Sequence, residues 1–283
     1  MCAELLNDMG VIHQSIDGIS FELKKPFNFD FVGQYGKVFK VYDDQDSGNI
    51  CFGTERDGKR FFIKFAGAPT KRYEGKISDA VVRLKASVPL YHDLKHKSLI
   101  ELVDEGEMGG GFAMIFLWED GDCMGRMYPQ AHERFMKLPC RTRLKVFRDV
   151  LSFLEHTAAK GYVAVDFYDG SILYDFEREK TTICDIDFFR RQPCVNDMGR
   201  MWGSSLFQSP EEYELGAVID EVTNVYTVGA TAFALFGGYG RGRERWELSE
   251  ECFAVAAKAV ERERALRQRS IAEFRGEWER ALG

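Results

Sequence analysis

The feature that most constrains the fold is a change of hydrophobic period along the chain. Through the first 117 residues, apolar and aromatic side chains alternate in short runs, the pattern of strands; beyond them they recur at helical spacing. FNFDFV, KVFKVYDD, NICFGTE, RFFIKFA and FAMIFLW read as five strands, and Asp57-Gly58 supplies a tight hairpin turn between the third and fourth. One helix is expected between the fourth and fifth, from about Ile77 to Leu94, because Ile77, Val81, Leu84 and Val88 fall on one helical face. In the second half, RTRLKVFRDVLSFLEHTAAK, VYTVGATAFALF, CFAVAAKAVERERAL and SIAEFRGEWERAL carry helical patterns. A β-rich front with one helix and a helical back is an α+β arrangement. It predicts a β-rich N-lobe over residues 1–117 and a helical C-lobe over 118–283, with the seam near Trp118-Glu119-Asp120-Gly121.

Composition narrows the function classes. The 283 residues are 45% hydrophobic with a net charge of −7, ample for a core but lacking the basic face that nucleic acid or an anionic membrane requires. Seven dispersed cysteines, among them Cys2, form no C-x-x-C pair, which fits reduced thiols. The five histidines are equally scattered, so a zinc site is not expected. MCAELLNDMG lacks the basic and apolar regions of a signal peptide, and no apolar run reaches the ~18 residues of a spanning helix. The expectation is a cytoplasmic protein.

One stretch concentrates chemistry. In GYVAVDFYDGSILYDFEREKTTICDID (Gly161 to Asp187), the runs ILYD and TTIC flank a charged turn and read as a hairpin. Its closure brings Ser171 and Asp185 to the same end, with Asp166 five residues before Ser171 and Asp187 two after Asp185. A magnesium-bound triphosphate needs such a set: one carboxylate for an acceptor hydroxyl and oxygen ligands for the metal.

This stretch resembles the catalytic and metal loops of the protein-kinase-like superfamily, H-R-D-L-x-x-x-x-N followed by D-F-G. The resemblance implies Asp166 as catalytic base, and Ser171 (in place of Asn), Asp185 and Asp187 as magnesium ligands. Asp185 directly follows TTIC, whereas Asp187-Phe188-Phe189 looks more like D-F-G but sits two residues late; Asp185 is preferred. Ala164 and Val165 replace His and Arg, which removes the receiver of a regulatory phosphate, and Tyr168 replaces a Lys. FFIKFAG resembles the V-A-I-K strand, which makes Lys64 the holder of the α- and β-phosphates. Two segments compete for the phosphate loop, Val32 to Val38 and Asp43 to Ile50. The second is favoured, with Ser47, Gly48, Asn49 and Ile50 at the nucleotide, although Asp43, Asp44 and Asp46 replace its glycines. Glu74 is assigned as the partner of Lys64, since Arg83 and Ser87 stand where an acid is expected. Phe116 and Trp118, ending the last N-terminal strand, complete the nucleotide-binding residues.

Downstream, GSSLFQSPE (Gly203 to Glu211) resembles G-T-x-x-Y-x-A-P-E, TNVYTVGATAF resembles the buried helix S-D-V-W-S-x-G with Asn224 for Asp, and RQRSIAEF resembles the terminal K-R-P-[ST]-x-x-E motif. Arg269 is thereby expected to pair with Glu211. The likeness spans residues 31 to 283. It implies a two-lobed, compact bacterial serine/threonine-protein-kinase-like phosphotransferase using ATP and Mg2+ on a protein or small-molecule hydroxyl. Ser204, Ser205 and Ser209 are the expected places for autophosphorylation. A small-molecule kinase, a pseudokinase scaffold and an AMP-transferring pseudokinase stay open as alternatives, and the oligomeric state is unassigned.

Overall fold

The computed structural model describes residues 10–283; Cys2 and the rest of the opening segment lie outside the described residues. The chain divides into two compact units. One comprises the described residues through His92 together with Ile100–Trp118; the other comprises Asp93–Leu99 and Glu119–Gly283.

The first unit opens with a hairpin of β1 (Ile12–Ile16) and β2 (Ile19–Leu23). Then follow β3 (Lys37–Tyr42), β4 (Asn49–Arg56), β5 (Lys59–Ala66), α1 (Ile77–Asp93), β6 (Leu102–Met108) and β7 (Gly111–Leu117). These five strands form one antiparallel sheet in the order β3-β4-β5-β7-β6. The turn between β4 and β5 is the expected one: Asp57 and Gly58 have φ of 53° and 74°, left-handed as a two-residue hairpin turn demands.

Two sequence expectations fail here. FNFDFV is not a strand, because the Asn28 side chain accepts the Asp30 N–H at 2.7 Å and starts a 3-10 turn over Asp30–Tyr35. Its phenylalanines still alternate inward: Phe29 lies 5.1 Å from Phe52 and Phe31 4.7 Å from Phe65, ring centre to ring centre. The fifth strand is instead β6, whose sequence LVDEGEM carries three carboxylates. It is an edge strand, where charge is tolerated and discourages further pairing.

The two faces of the sheet differ. Val38, Ile50, Phe52, Ile63, Phe65, Ala113 and Ile115 form one buried cluster with Phe21, Leu23, Phe29 and Val32. The other face carries Phe62, Lys64, Met114 and Phe116 and packs on α1, where Tyr91 meets Phe116 at 4.9 Å. The buried stripe of α1 is Ala80, Leu84, Ser87, Leu90 and Tyr91; of the expected face Leu84 lies on it, Val81 and Val88 are partly buried and Ile77 is 41% exposed.

The second unit contains β8 (Asp122–Cys123), α2 (Pro129–Met136), α3 (Cys140–Ala159), β9 (Tyr162–Val163), β10 (Ile172–Asp175), β11 (Lys180–Ile183) and β12 (Arg190–Arg191). β13 (Cys194–Val195), β14 (Val218–Ile219), α4 (Glu221–Phe236), α5 (Glu250–Ala259) and α6 (Ile271–Leu282) complete it. α4 is buried on nearly every side, which is why its sequence is apolar all round. α3 and α6 bring Phe147 and Trp278 to 4.9 Å beside Phe236 and Phe274. The expected third C-terminal helix is shorter than its pattern: α5 stops at Ala259, and the charged run after it lacks an apolar stripe. The described cysteines are free thiols, and among the described residues no helix is long and apolar enough to cross a membrane.

Candidate functional site

In the second unit, pairing of short strands fixes two loops. β10 pairs with β11 (Ile172 opposite Ile183), and β9 pairs with β12 (Val163 opposite Arg190). The loop 164–171 leaves β9 and enters β10, while the loop 184–189 leaves β11 and enters β12, so the two pairings hold the loops side by side. The Cys184 N–H donates to the Ser171 carbonyl at 2.9 Å, extending the ladder to the foot of both. The buried Asn224 of α4 anchors the first loop from behind. Its Oδ1 accepts the Ala164 N–H at 2.7 Å and its Nδ2 donates to the Tyr162 carbonyl at 3.3 Å. An aspartate could not make the second bond, since an ionised carboxylate only accepts.

Backbone strain marks the same loops. Six described non-glycine residues have left-handed φ: Asp17, Asp57 and Glu179 in hairpin turns, and Asp166 (64°), Asp185 (57°) and Tyr239 (66°) outside them. Such residues cost about 1–3 kcal/mol each and persist where the surroundings overdetermine them, often at functional positions. Asp166 and Asp185 are the expected base and metal ligand, and Tyr239 bonds to the intervening loop.

Ser171 is fully buried, and among the described residues its hydroxyl has no hydrogen-bond partner. An unsatisfied buried hydroxyl is costly, so this oxygen is a natural place for a missing ligand. Asp185 is exposed, Ile186 is buried in the core and Asp187 is partly buried, so the two candidate carboxylates flank a core anchor. Among the described residues no group of three or more His, Cys, Asp or Glu is arranged to hold a metal by itself. Magnesium commonly takes only one or two carboxylates and fills its shell with water and phosphate, so Asp185 with Ser171 fits that mode.

Tyr168 sits among these groups. Burial drives its hydroxyl far above the usual tyrosine range, and the charges of Asp185, Asp166, Cys123 and Asp169 push the same way. Burial likewise pushes the Cys123 thiol up to about 11; the Gly125 N–H opposes this and the Asp169 and Asp185 charges add to it. The Tyr168 ring folds over Gly170, where a Cβ would lie 2.3 Å from it, so a larger residue there would displace the ring.

In the first unit, Lys64 lies on β5, the central strand, and not at an edge. It is half-buried, and its cross-strand neighbours are Cys51 and Met114, 1% and 0% exposed. Directly opposed residues share a face, so Cys51 faces with Lys64, while Ile50, opposite Phe65, faces the hydrophobic cluster. Ile50 therefore cannot share a site with the Lys64 side chain.

The other nucleotide-binding expectations have mixed outcomes. The segment Asp43 to Gly48 does join two antiparallel strands, but Gly48 is packed beneath Tyr73 and Ala80, and the Ser47 carbonyl accepts from Arg83 at 2.6 Å. Asn49 is buried. Asp43 and Asp44 are offset by Lys71 at 3.7 and 3.5 Å, and Asp44 also by Arg72. In the competing segment, Gly36 has φ 111° and lies against the Glu55 backbone, a structural reason for that glycine. Glu74 lies before α1, 87% exposed, and pairs with Lys24 at 2.9 Å, which corrects its assignment to Lys64. Phe116 is buried beneath Tyr91, and Trp118 is partly buried with its ring 4.9 Å from Phe39.

The segment from 196 to 220 is tied down by buried polar groups. Glu211 pairs with Arg267, not Arg269: Arg267 Nη1 and Nη2 reach its two oxygens at 2.7 and 2.9 Å, and Arg264 Nη1 adds a contact at 2.7 Å. Arg269 is exposed, and its backbone N–H donates to Glu273 Oε2 at 2.9 Å. Burial raises the Glu211 carboxyl, but the Arg267 hydrogen bonds and charge, with Arg264, carry it below the ordinary value. Ser209 is buried and bonded to Glu212, so it is not accessible for modification, unlike Ser204 and Ser205.

No protein-family model matches the chain, and no curated protein matches it.

Proposed function

We propose that the chain is an ATP- and magnesium-dependent phosphotransferase of the protein-kinase-like superfamily, transferring the γ-phosphate to a hydroxyl. The observation that carries this reading is the pair of strained aspartates, Asp166 and Asp185, in adjacent strand-clamped loops with the unsatisfied Ser171 hydroxyl between them in sequence. In this reading Asp166 orients the acceptor hydroxyl and takes its proton. Asp185 and Ser171 would hold the magnesium that, when bound, neutralises phosphate charge. By the resemblance, Lys64 would be the residue that contacts the nucleotide phosphates. The Asn224 tether and the buried Glu211–Arg267 pair support the same reading, because they rigidify the segments that carry the acceptor side.

A small-molecule acceptor is favoured over a protein acceptor by one observation, a cavity of about 360 Å3 beside Tyr168 and Asp169. Thermal melting with and without Mg2+–ATP tests the core assignment, since a ligand that binds only the native state raises Tm. Wild type should shift, and Lys64→Met and Asp185→Asn should fold but not shift. An equal shift in both variants would place the nucleotide elsewhere. Transfer from γ-labelled but not α-labelled ATP separates phosphoryl from AMP transfer.

A further inference from the structure

The cavity in the second unit is lined by Arg126, Met127, Tyr168, Asp169, Ser204 and Leu206. Tyr168 and Asp169 belong to the loop that carries Asp166. Asp169 is 6% exposed, and its Oδ2 accepts the Arg126 backbone N–H at 3.3 Å and the Tyr239 hydroxyl. Two donors, one of them on the cavity residue Arg126, thus engage this carboxylate. Tyr239 comes from the glycine-rich run GGYGRG, is held at φ 66°, and also lies 6.3 Å from the Phe207 ring. The Arg126 guanidinium lies over the Tyr239 ring, 5.0 Å from its centre. Among the described residues this exposed cation has no ion pair with a carboxylate. A guanidinium resting over an aromatic ring at the wall of a cavity presents its planar fork of donors to a carboxylate or phosphate.

We infer that this cavity receives the acceptor, and that the acceptor is a small hydroxylated molecule whose carboxylate or phosphate group Arg126 holds; the inference rests on the phosphotransferase reading. Met127 and Leu206 supply apolar walls. In the transfer, the acceptor oxygen forms a bond to the γ-phosphorus and the bond from that phosphorus to the bridging oxygen breaks. ADP leaves with the electron pair, and the hydroxyl proton passes to Asp166.

The test has two parts. Melting without nucleotide, in inorganic phosphate or acetate against chloride at equal ionic strength, reads anion binding. Wild type and Lys64→Met should be stabilised, with half-saturation about tenfold weaker or worse in Arg126→Met and partly restored in Arg126→Lys. Transfer from γ-labelled ATP to glycerol 3-phosphate, glycerate and glycerol then reads the acceptor. One of the two anionic compounds should be labelled about tenfold faster than glycerol, and the faster one identifies phosphate or carboxylate as the recognised group. An unchanged anion response in Arg126→Met, or labelling that ignores charge, overturns the inference and leaves the phosphotransferase reading intact. An Arg126-dependent anion response with no labelling of any compound overturns the phosphotransferase reading, and the acceptor role with it.

Discussion

Arg267→Ala is the sharpest test of how the second unit is held together. The Arg267 side chain is 0% exposed and Glu211 4%, and two hydrogen bonds join them. Removing one member of such a pair costs about 3–5 kcal/mol, because the other charge stays buried without its counterpart. Here Arg264 still touches Glu211 Oε1 at 2.7 Å, which places the expected loss near the lower end, about 3 kcal/mol. The Arg267 guanidinium also satisfies the Glu261 carbonyl at 2.7 Å, which prevents a smaller figure. For a unit of this size the loss corresponds to a fall in Tm of about 6–12 °C. Denaturant unfolding followed by tryptophan emission is a suitable assay, since Trp246 and Trp278 are buried in this unit. The paired control is Arg269→Ala, which removes an exposed side chain and should cost no more than about 0.5 kcal/mol. The reasoning is refuted if Arg267→Ala unfolds within about 1 kcal/mol of wild type, roughly a third of the loss expected from the pair, or if Arg269→Ala is equally damaging.

Other predictions concern the neighbouring groups. Burial pushes the Glu212 carboxyl up to about 7 against the Ser209 hydrogen bonds, so the folded state keeps a proton that the unfolded chain releases near 4.5. Its stabilising contribution is therefore complete below 4.5 and is lost as pH rises through about 7, a change of about 3 kcal/mol that Glu212→Gln should abolish in pH-dependent unfolding. Asn224→Ala leaves the Ala164 N–H and Tyr162 carbonyl without partners and should cost about 2–4 kcal/mol; retention of wild-type stability would show the tether to be dispensable. Asp166→Ala should leave Mg2+–ATP binding nearly intact while slowing transfer by about 10²–10⁴-fold, and an unchanged rate would remove Asp166 from the chemistry. Gly170→Ala should displace the Tyr168 ring at a cost of about 1–3 kcal/mol, as overpacking does, and an equally stable variant would show that the ring swings aside freely.

Much of the local structure was legible because its causes are local. The Asp57-Gly58 turn, the ILYD–TTIC hairpin and α3, α4 and α6 follow from turn chemistry and periodicity within a few residues. The hairpin also made the approach of Ser171 to the foot of the second loop foreseeable. Strand identity was less secure. FNFDFV has the right alternation, but an Asx turn two residues long overrides it, and LVDEGEM hides a strand because an edge position relaxes the demand for apolar residues.

The sequence by itself determined that this chain is strand-rich in front and helical behind, and it singled out Asp166, Ser171 and Asp185, because period and turn residues are properties of neighbours along the chain. Tertiary structure alone decided which arginine reaches Glu211, since Arg267 and Arg269 are two residues apart and only the path of the chain after α5 turns one of them inward. It also decided that Cys51, and not Ile50, shares a face with Lys64, because cross-strand register is set by contacts between distant segments and a one-residue difference reverses every side chain.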